Sequence, residues 1–420
     1  MDILGLSQKA KKSGKWSNPK SEINDLCPEC RKNKRVYCPH KPLLAIKAEH
    51  AQKFDKTEFF GPSPPAIFVG HYGYPQVNFG PMISLDEGVA DNPKDWYGWN
   101  FDRIVYARSM QIRSQINSSI SMAKSLGSGA TGPLPRIISD SQEAAMSISS
   151  VDVETHFSKK PNLQVSFNQI SQPMGPSAPL EKLYLADNPK IPKKLDALVQ
   201  DGAKASLAIS ELSHAGYDEH YLTRLLTAGI LGEKAARKFV PTKWGITAVD
   251  DTVAKEHMKK LRDCKENSKF LFFQNEYLAN RFSILLLPGA WEYENFEAWI
   301  GSPDNFAISI EHEPYWGRGN YAASQGGGYY AARLAVCEAL ATKLRMQARV
   351  VVIREIMPEY DLPVGCWQIR QSVREAFTHS PKEFGSLSQL LSFLNEALIL
   401  NPKDYIQRSS VLSQKRLSDF

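Results

Sequence analysis

The sequence lacks long apolar runs, and none reaches the roughly 18 residues that a membrane-spanning helix needs. Its amino terminus, M-D-I-L-G-L-S-Q-K-A, lacks the charged and then apolar pattern of a secretion signal. Cysteine is scarce, with 6 in the chain, and half of these crowd between residues 27 and 38, so a disulfide framework is not expected. These absences predict a cytoplasmic protein in a reduced compartment, without a membrane partner.

Beyond residue 56 the chain also lacks an excess of either charge. Residues 1–56 hold 13 of the 51 basic residues and 6 of the 45 acidic ones, which leaves 38 basic and 39 acidic residues for the rest. The net charge of +6 therefore comes from the amino-terminal segment. Such a concentration favours a polyanion such as nucleic acid, because each neutralised phosphate releases counterions. The alternative is a solvated basic segment that aids solubility.

What is present in that segment is a cysteine cluster, C-P-E-C-R-K-N-K-R-V-Y-C-P-H. Two close pairs of thiol and imidazole ligands separated by a short loop suit a tetrahedral zinc ion, so Cys27, Cys30, Cys38 and His40 are the predicted ligands. His50 competes with His40 as the fourth ligand, and an iron–sulfur cluster is the lesser alternative. Four protein ligands leave no open position, so the predicted zinc is structural.

The loop between the two ligand pairs is basic. If nucleic acid binds, its side chains contact phosphates, and otherwise they form a solvated loop. The four residues are Arg31, Lys32, Lys34 and Arg35.

The rest of the chain predicts an α+β fold of mixed sheets and helices, because clusters of strands and helices do not alternate regularly. With 42% hydrophobic residues it can bury a large core. The predicted organisation is a zinc module at 1–56, a core at 57–400 with possible subdomains at 57–180 and 181–400, and a flexible tail at 401–420. Within the core, 101–117 has helical spacing, with Arg103, Arg108 and Arg113 on its solvated side.

A glycine run, Q-G-G-G-Y-Y, precedes a predicted helix. Free backbone N–H groups at a helix start can hold a phosphate, and Arg318 can pair with the same anion. The predicted phosphate or nucleotide ligands are therefore Arg318, Gln325, Gly326, Gly327 and Gly328. The run lacks both the Lys-Ser/Thr ending of a P-loop and the context of a dinucleotide fold.

Acidic residues supply a second candidate site. Asp250 and Asp251 are predicted in a loop after a helix, and Glu311 and His312 come from later in the chain. Grouped carboxylates can bind Mg²⁺ or Mn²⁺ and drive phosphodiester or nucleotide hydrolysis, with a histidine as base. The alternative is that they are helix caps and solvated turns.

The chain ends in S-Q-K-R-L-S-D-F, an apolar residue after a polar segment. One helical turn places Leu417 and Phe420 on one side, with Gln414 just before them. This spacing predicts a peptide that folds into a partner's apolar pocket.

Together these motifs resemble the archaeal Nre DNA-repair family. The resemblance includes the blocks P-S-P-P-A-I-F-V-G-H-Y-G-Y-P, V-P-T-K-W-G-I-T-A-V-D-D and Y-W-G-R-G-N, followed by Q-G-G-G-Y-Y-A-A-R and the terminal Q-x-x-L-x-x-F. It implies a role in DNA-damage repair, with recruitment to the replication sliding clamp (PCNA) through Gln414, Leu417 and Phe420. Such peptides commonly carry two adjacent aromatics, whereas this chain has one.

Two other functions stay open from the sequence. One is a metal-dependent nuclease, phosphodiesterase or nucleotide-processing enzyme acting in repair. The other is an RNA-binding zinc protein, because a small basic zinc module binds RNA as readily as DNA.

Overall fold

The computed structural model describes residues 38, 49–50, 52–64, 66–86, 91–127, 131–302, 305–360 and 362–413. Within these ranges the protein is α+β, as predicted, with two six-stranded sheets and helices between and around them. In the same ranges, no helix combines the length and apolarity needed to cross a membrane. Cys27, Cys30, His40 and the predicted clamp peptide 414–420 lie outside the described residues.

The first sheet has the strand order β1-β5-β6-β4-β3-β2, with only the β4–β6 pair parallel. The sequence V-D-V-E-T-H-F alternates apolar and polar residues, which predicts a strand, and the residues of β5 do alternate between buried and solvent-facing positions. The strands are β1 Glu58–Ser63, β2 Ile67–Val69, β3 Gln76–Ser84, β4 Gln111–Ser119, β5 Val151–Phe157 and β6 Ser177–Leu185.

The second sheet has the order β10-β9-β11-β8-β7-β12, and only the β9–β11 pair is parallel. Every residue of β11 is buried, because this strand lies inside the sheet and helices cover it. The strands are β7 Phe270–Tyr277, β8 Asn280–Leu287, β9 Glu292–Ser302, β10 Asn305–Glu313, β11 Arg349–Ile356 and β12 Lys382–Phe384.

Helices connect and cover the sheets. One of them, α6, packs into two cores, because Ile246 and Met258 join the core under the second sheet while Val249 and Val253 join that of the first. The helices are α1 Phe101–Ser109, α2 Pro133–Met146, α3 Lys193–Asp201, α4 Ala205–His214, α5 Glu219–Thr227, α6 Thr242–Arg262, α7 Gly327–Glu338, α8 Cys366–Ala376, α9 Leu387–Ala397, α10 Pro402–Ile406 and α11 Ser410–Ser413.

The predicted helix over 101–117 is wrong in its second half. Helix α1 ends at Ser109, and β4 follows from Gln111, pairing with β3 on one side and β6 on the other. The prediction of a solvated Arg108 is also wrong: its side chain is buried and donates to Asp91 at 3.2 Å and to the Pro173 carbonyl at 2.7 Å.

The predicted loop around Asp250 and Asp251 is in fact the middle of α6, which runs for 21 residues. Pro241 precedes the first turn, where a proline costs no hydrogen bond. Burial of one apolar side against each core stabilises the helix despite Gly245 and several β-branched residues.

Candidate functional site

Asp250 lies on α6 and is buried in an ion pair. Its Oδ2 accepts a hydrogen bond from Arg370 Nη1 at 2.6 Å, while its Oδ1 has no hydrogen-bond partner within the described chain. Burial raises the pKa of Asp250 to about 6, although Arg370 opposes that shift. Arg370 also approaches Glu219 at 3.3 Å, so it connects α5, α6 and α8.

Asp251 faces a second buried network. Its carboxylate accepts from Arg333 of α7 and, at 2.6 Å, from Lys255. Arg333 donates through its other nitrogen to Glu313 at 2.6 Å, and Tyr329 donates to the same carboxylate at 2.7 Å. The structure therefore brings Asp251 and Glu313 together, but through a guanidinium that neutralises both.

Glu311 and His312 lie on β10 and point to different partners. Glu311 accepts from Arg318 Nη1 at 2.9 Å and from the Ser324 hydroxyl at 2.7 Å. Burial alone would raise its pKa, but these contacts lower the pKa of Glu311. His312 bonds Glu292 at 3.0 Å, and this contact raises the pKa of the imidazole.

The four predicted catalytic residues thus belong to separate pairs. Among the residues that the structure describes, no group of three or more His, Cys, Asp or Glu side chains is placed to hold a metal ion. Sequence reasoning named Arg318 as a phosphate ligand but missed Arg370 and Arg333, which pair with Asp250 and Asp251. Arg333 sits in the quoted Y-Y-A-A-R block, but nothing in that block indicates which carboxylate it meets.

The predicted phosphate ligands also have partners. Arg318 Nε donates to the Asn320 carbonyl at 2.8 Å, besides its pair with Glu311, and so folds the loop before α7. The amide of Gln325 donates to the Asn295 carbonyl at 2.7 Å and accepts from the Asn295 side chain at 2.7 Å. These contacts tie the loop to the second sheet.

The glycine run is packed tightly at the start of α7. Gly326 has φ +55°, a conformation that favours glycine. A Cβ on Gly327 would lie 2.7 Å from Cys366 Sγ, and one on Gly328 would overlap a Glu297 oxygen. Close packing therefore explains why glycines occupy these positions. The carboxylate of Glu297 lies against the start of α7, where a phosphate was predicted.

A cavity of about 570 Å³ lies between the first sheet and α5. Its volume is within the range of about 300–1,000 Å³ that is typical of ligand sites. The hydroxyl of Thr227 has no hydrogen-bond partner in the described structure, and the Thr227 side chain is fully buried. Other lining residues offer aromatic surface and cationic donors and were not foreseen: Phe68, Arg108, Tyr217, Tyr221 and Arg224.

The carboxyl-terminal helices α10 and α11 are anchored on the second sheet. Tyr405 is fully buried, with its ring 5.5 Å from that of Phe296 and its hydroxyl 3.0 Å from Glu355 Oε1. Arg349 donates to the Val411 carbonyl at 2.6 Å, and Ser409 donates to Glu294. The chain is therefore held to the body up to the residue before the predicted clamp peptide.

Of the predicted zinc ligands, Cys38 is described and its side chain is buried. The competing residue His50 is also described, and its Nε2 lies 3.8 Å from Glu49. The basic residues Arg31, Lys32, Lys34 and Arg35 lie outside the described residues.

Comparison with known sequences defines the class. The profile of the archaeal Nre amino-terminal region matches residues 33–303, and that of the archaeal Nre carboxyl-terminal region matches residues 313–420. The chain belongs to the archaeal Nre family, which confirms the resemblance seen in its motifs.

Particular relatives cover nearly the whole chain. The DNA repair protein NreA of Archaeoglobus fulgidus is 34% identical over 88% of this chain and 93% of its own length. The DNA repair protein NreB of the same organism is 31% identical over 93% of this chain and 97% of its own. The DNA repair protein NreA of Haloferax volcanii is 30% identical, with 88% and 91% covered. No solved structure matches the chain.

Proposed function

We propose that this protein acts in DNA repair and is recruited to the replication sliding clamp through residues 414–420. Relatives named DNA repair proteins align with 88–93% of the chain, which supports the first part. The terminal Q-x-x-L-x-x-F supports the second, because a short peptide of this pattern can place Leu417 and Phe420 in an apolar pocket.

One structural observation carries the recruitment proposal. Helix α11 ends at Ser413, and both Val411 and Leu412 are buried against the second sheet. Gln414, the first residue of the peptide, therefore follows directly on a fixed point of the body. A clamp that binds the peptide is held next to the second sheet, without a long linker between them.

Clamp binding is tested with the full chain, a chain ending at Ser413, and the variant Leu417→Ala/Phe420→Ala. Titration against purified sliding clamp by calorimetry should show binding of the full chain and its loss in the other two. Ser418→Ala is the matched control, because it changes a residue between the two apolar positions. Equal clamp affinity of all four proteins would overturn the recruitment proposal.

The amino-terminal module is proposed to hold a structural zinc ion and to contact DNA. Cys27, Cys30, Cys38 and His40 supply the ligand types that zinc prefers, and the burial of Cys38 suits a closed site. The basic loop, residues 31–35, places four cations next to that site. Zinc would fix the position of this loop, because the segment has few apolar residues of its own.

Metal content and DNA affinity test this module separately. The purified full chain should contain one zinc per molecule by elemental analysis, and Cys30→Ser should lower that content. His40→Ala and His50→Ala, measured in parallel, identify the fourth ligand. Replacing Lys32 and Lys34 by alanine should weaken DNA binding and its salt dependence while leaving the zinc content unchanged.

A further inference from the structure

Four exposed aromatic side chains lie along one side of helix α6, and a fifth, Tyr72, is two residues from one of them in the chain. This aromatic face consists of residues that are between 45% and 85% exposed: Tyr72, Tyr74, Trp244, Trp316 and Tyr321. Buried aromatics are ordinary core residues, but several partly exposed ones grouped along one element leave ring surface open to solvent. They therefore indicate a surface for a ligand.

The face follows a single stripe of α6. Positions three or four residues apart lie on the same side of a helix. At the amino-terminal end of the stripe, the rings of Tyr74 and Trp244 lie 5.2 Å apart. One turn further on, the Thr247 hydroxyl lies close enough to Tyr321 to influence the pKa of its phenol. The stripe comprises Trp244, Thr247, Asp251, Lys255, Met258 and Arg262, of which Thr247 and Met258 are buried.

Trp316 lies at the other end of the same stripe. The Arg262 guanidinium is 5.8 Å from the centre of the Trp316 ring, and Arg262 also donates to the Tyr315 carbonyl at 2.8 Å. A Cβ on Gly317 would contact Met258 at 3.8 Å. The loop before α7 therefore runs along α6, and its aromatic side chains lie beside those of the helix.

The length of the face follows from helix geometry. Trp244 and Arg262 are both in α6. At 1.5 Å per residue, their separation along the helix axis is about 27 Å. About eight nucleotides stacked at 3.4 Å would cover that distance.

Cations lie between the aromatics. Lys243 lies near His71. Burial of the imidazole and the positive charge of Lys243 both lower the pKa of His71. Lys255 is half-exposed beside Asp251, and Arg318 pairs with Glu311 at the edge of the face. With Arg262, these cations outnumber Asp251 and Glu311, the acidic groups that lie beside them. The face is therefore positive as well as aromatic.

We infer that the aromatic face binds single-stranded DNA, with bases stacked on its rings and phosphates near its cations. Stacking needs unpaired bases, because the bases of a duplex already cover each other's faces. The large exposed apolar side chains on this face are all aromatic, whereas the large exposed aliphatic residues Ile148 and Leu207 belong to other parts of the fold. Exposed ring faces are the surfaces on which unpaired bases stack.

This inference rests on the proposed repair function. It specifies the ligand as single-stranded DNA and the binding surface as the aromatic face. The test is fluorescence anisotropy of the full chain with labelled dT20, a 20-base-pair duplex, and a 20-mer with abasic sites. We expect dT20 to bind more tightly than both others. Trp244→Ala and Trp316→Ala should each weaken dT20 binding by about 5- to 150-fold, the range of one lost stacking contact.

Trp299→Ala is the matched control, because Trp299 is exposed on β9, away from α6. It should leave dT20 affinity unchanged, as should Tyr184→Ala on β6. Tryptophan emission gives an independent readout: dT20 should quench the full chain, and Trp316→Ala should reduce that quenching. Equal affinity of dT20 and the abasic strand, or unchanged affinity in both face variants, would overturn the inference.

Titration of the same variants against the sliding clamp distinguishes a failure of the single-stranded DNA inference from a failure of the proposed repair function. Face variants that keep clamp binding and lose dT20 binding support the inference. Face variants that lose clamp binding and keep dT20 binding would assign the face to a protein and overturn it. A parallel titration with rU20 compares single-stranded RNA with single-stranded DNA. Tighter binding of rU20 than of dT20 would overturn the assignment to DNA.

Discussion

Arg333 and Glu313 form an ion pair at 2.6 Å in which neither side chain has any solvent exposure. Burial of the guanidinium alone would lower its pKa, but Glu313 keeps the pKa of Arg333 raised. The pair joins α7 to the last residue of β10, beneath the loop that carries Trp316 and Tyr321.

Breaking this pair should be costly. We expect Arg333→Met to lower the free energy of unfolding by about 3–5 kcal/mol, because it leaves the Glu313 carboxylate buried without a cation beside it. The measurement is urea denaturation followed by circular dichroism. The double variant Arg333→Met/Glu313→Gln should lose less than the single one. Lys255→Met, which removes an exposed partner of Asp251, should cost about 1 kcal/mol or less.

Asp250 should make stability depend on pH. Its pKa is about 6 in the folded protein, above its ordinary value of 3.8, so folding disfavours the ionised form. This contribution to stability is full below pH 3.8 and is lost as pH rises through 6. Relative to Asp250→Asn, the natural protein should therefore lose about 2 kcal/mol between pH 4 and pH 7.

Comparing the two proteins at each pH removes the contribution of other groups. Glu219 acts in the opposite direction: burial alone would raise its pKa, but Arg374 holds the pKa of Glu219 well below its ordinary value. Parallel stability curves for the two proteins between pH 4 and pH 7 would contradict the role given to Asp250.

Gly328 should be required for packing. A Cβ there would overlap the Glu297 carboxylate, which is fixed by Arg354 at 2.8 Å. We therefore expect Gly328→Ala to destabilise the fold by about 1–3 kcal/mol, measured as a lower melting temperature. Gly319→Ala is the control, because a Cβ at that position meets nothing within 4 Å. Equal melting temperatures for the two variants would contradict the packing explanation.

Two buried threonines should respond differently to the same substitution. Thr242 accepts a hydrogen bond from the Val69 backbone N–H at 2.9 Å, so Thr242→Val should cost about 1–3 kcal/mol. The Thr227 hydroxyl has no partner in the described chain, so Thr227→Val should be neutral or stabilising. Thermal unfolding of both variants tests the contrast, which would fail if Thr227→Val were the more destabilising.

Local patterns in the sequence predicted much of the second sheet. The run R-V-V-V-I-R-E-I predicts a strand at 349–356, and β11 has those bounds because a central strand is apolar on both faces. The sequence also predicts helices near 366–378 and 386–399, and α8 and α9 confirm both.

Tertiary contacts determine the secondary structure of two segments that local sequence patterns predicted wrongly. Residues 111–117 have helical spacing but pair between two strands, and α6 forms from a segment of weak helix formers because two cores cover it. At the candidate site, Asp250 and Arg370 are 120 residues apart. The residue types there indicate charge chemistry, but only the fold determines which charges meet.

The two matched family segments meet inside one β-hairpin. Strands β9 and β10 are paired along their lengths, and the boundary between residues 303 and 313 falls within this unit. The carboxyl-terminal segment also supplies β11, which lies between β9 and β8 of the amino-terminal segment. Neither segment is thus an autonomous folding unit, and a gene fusion or split at this boundary would yield fragments that must complement each other to recover the native state.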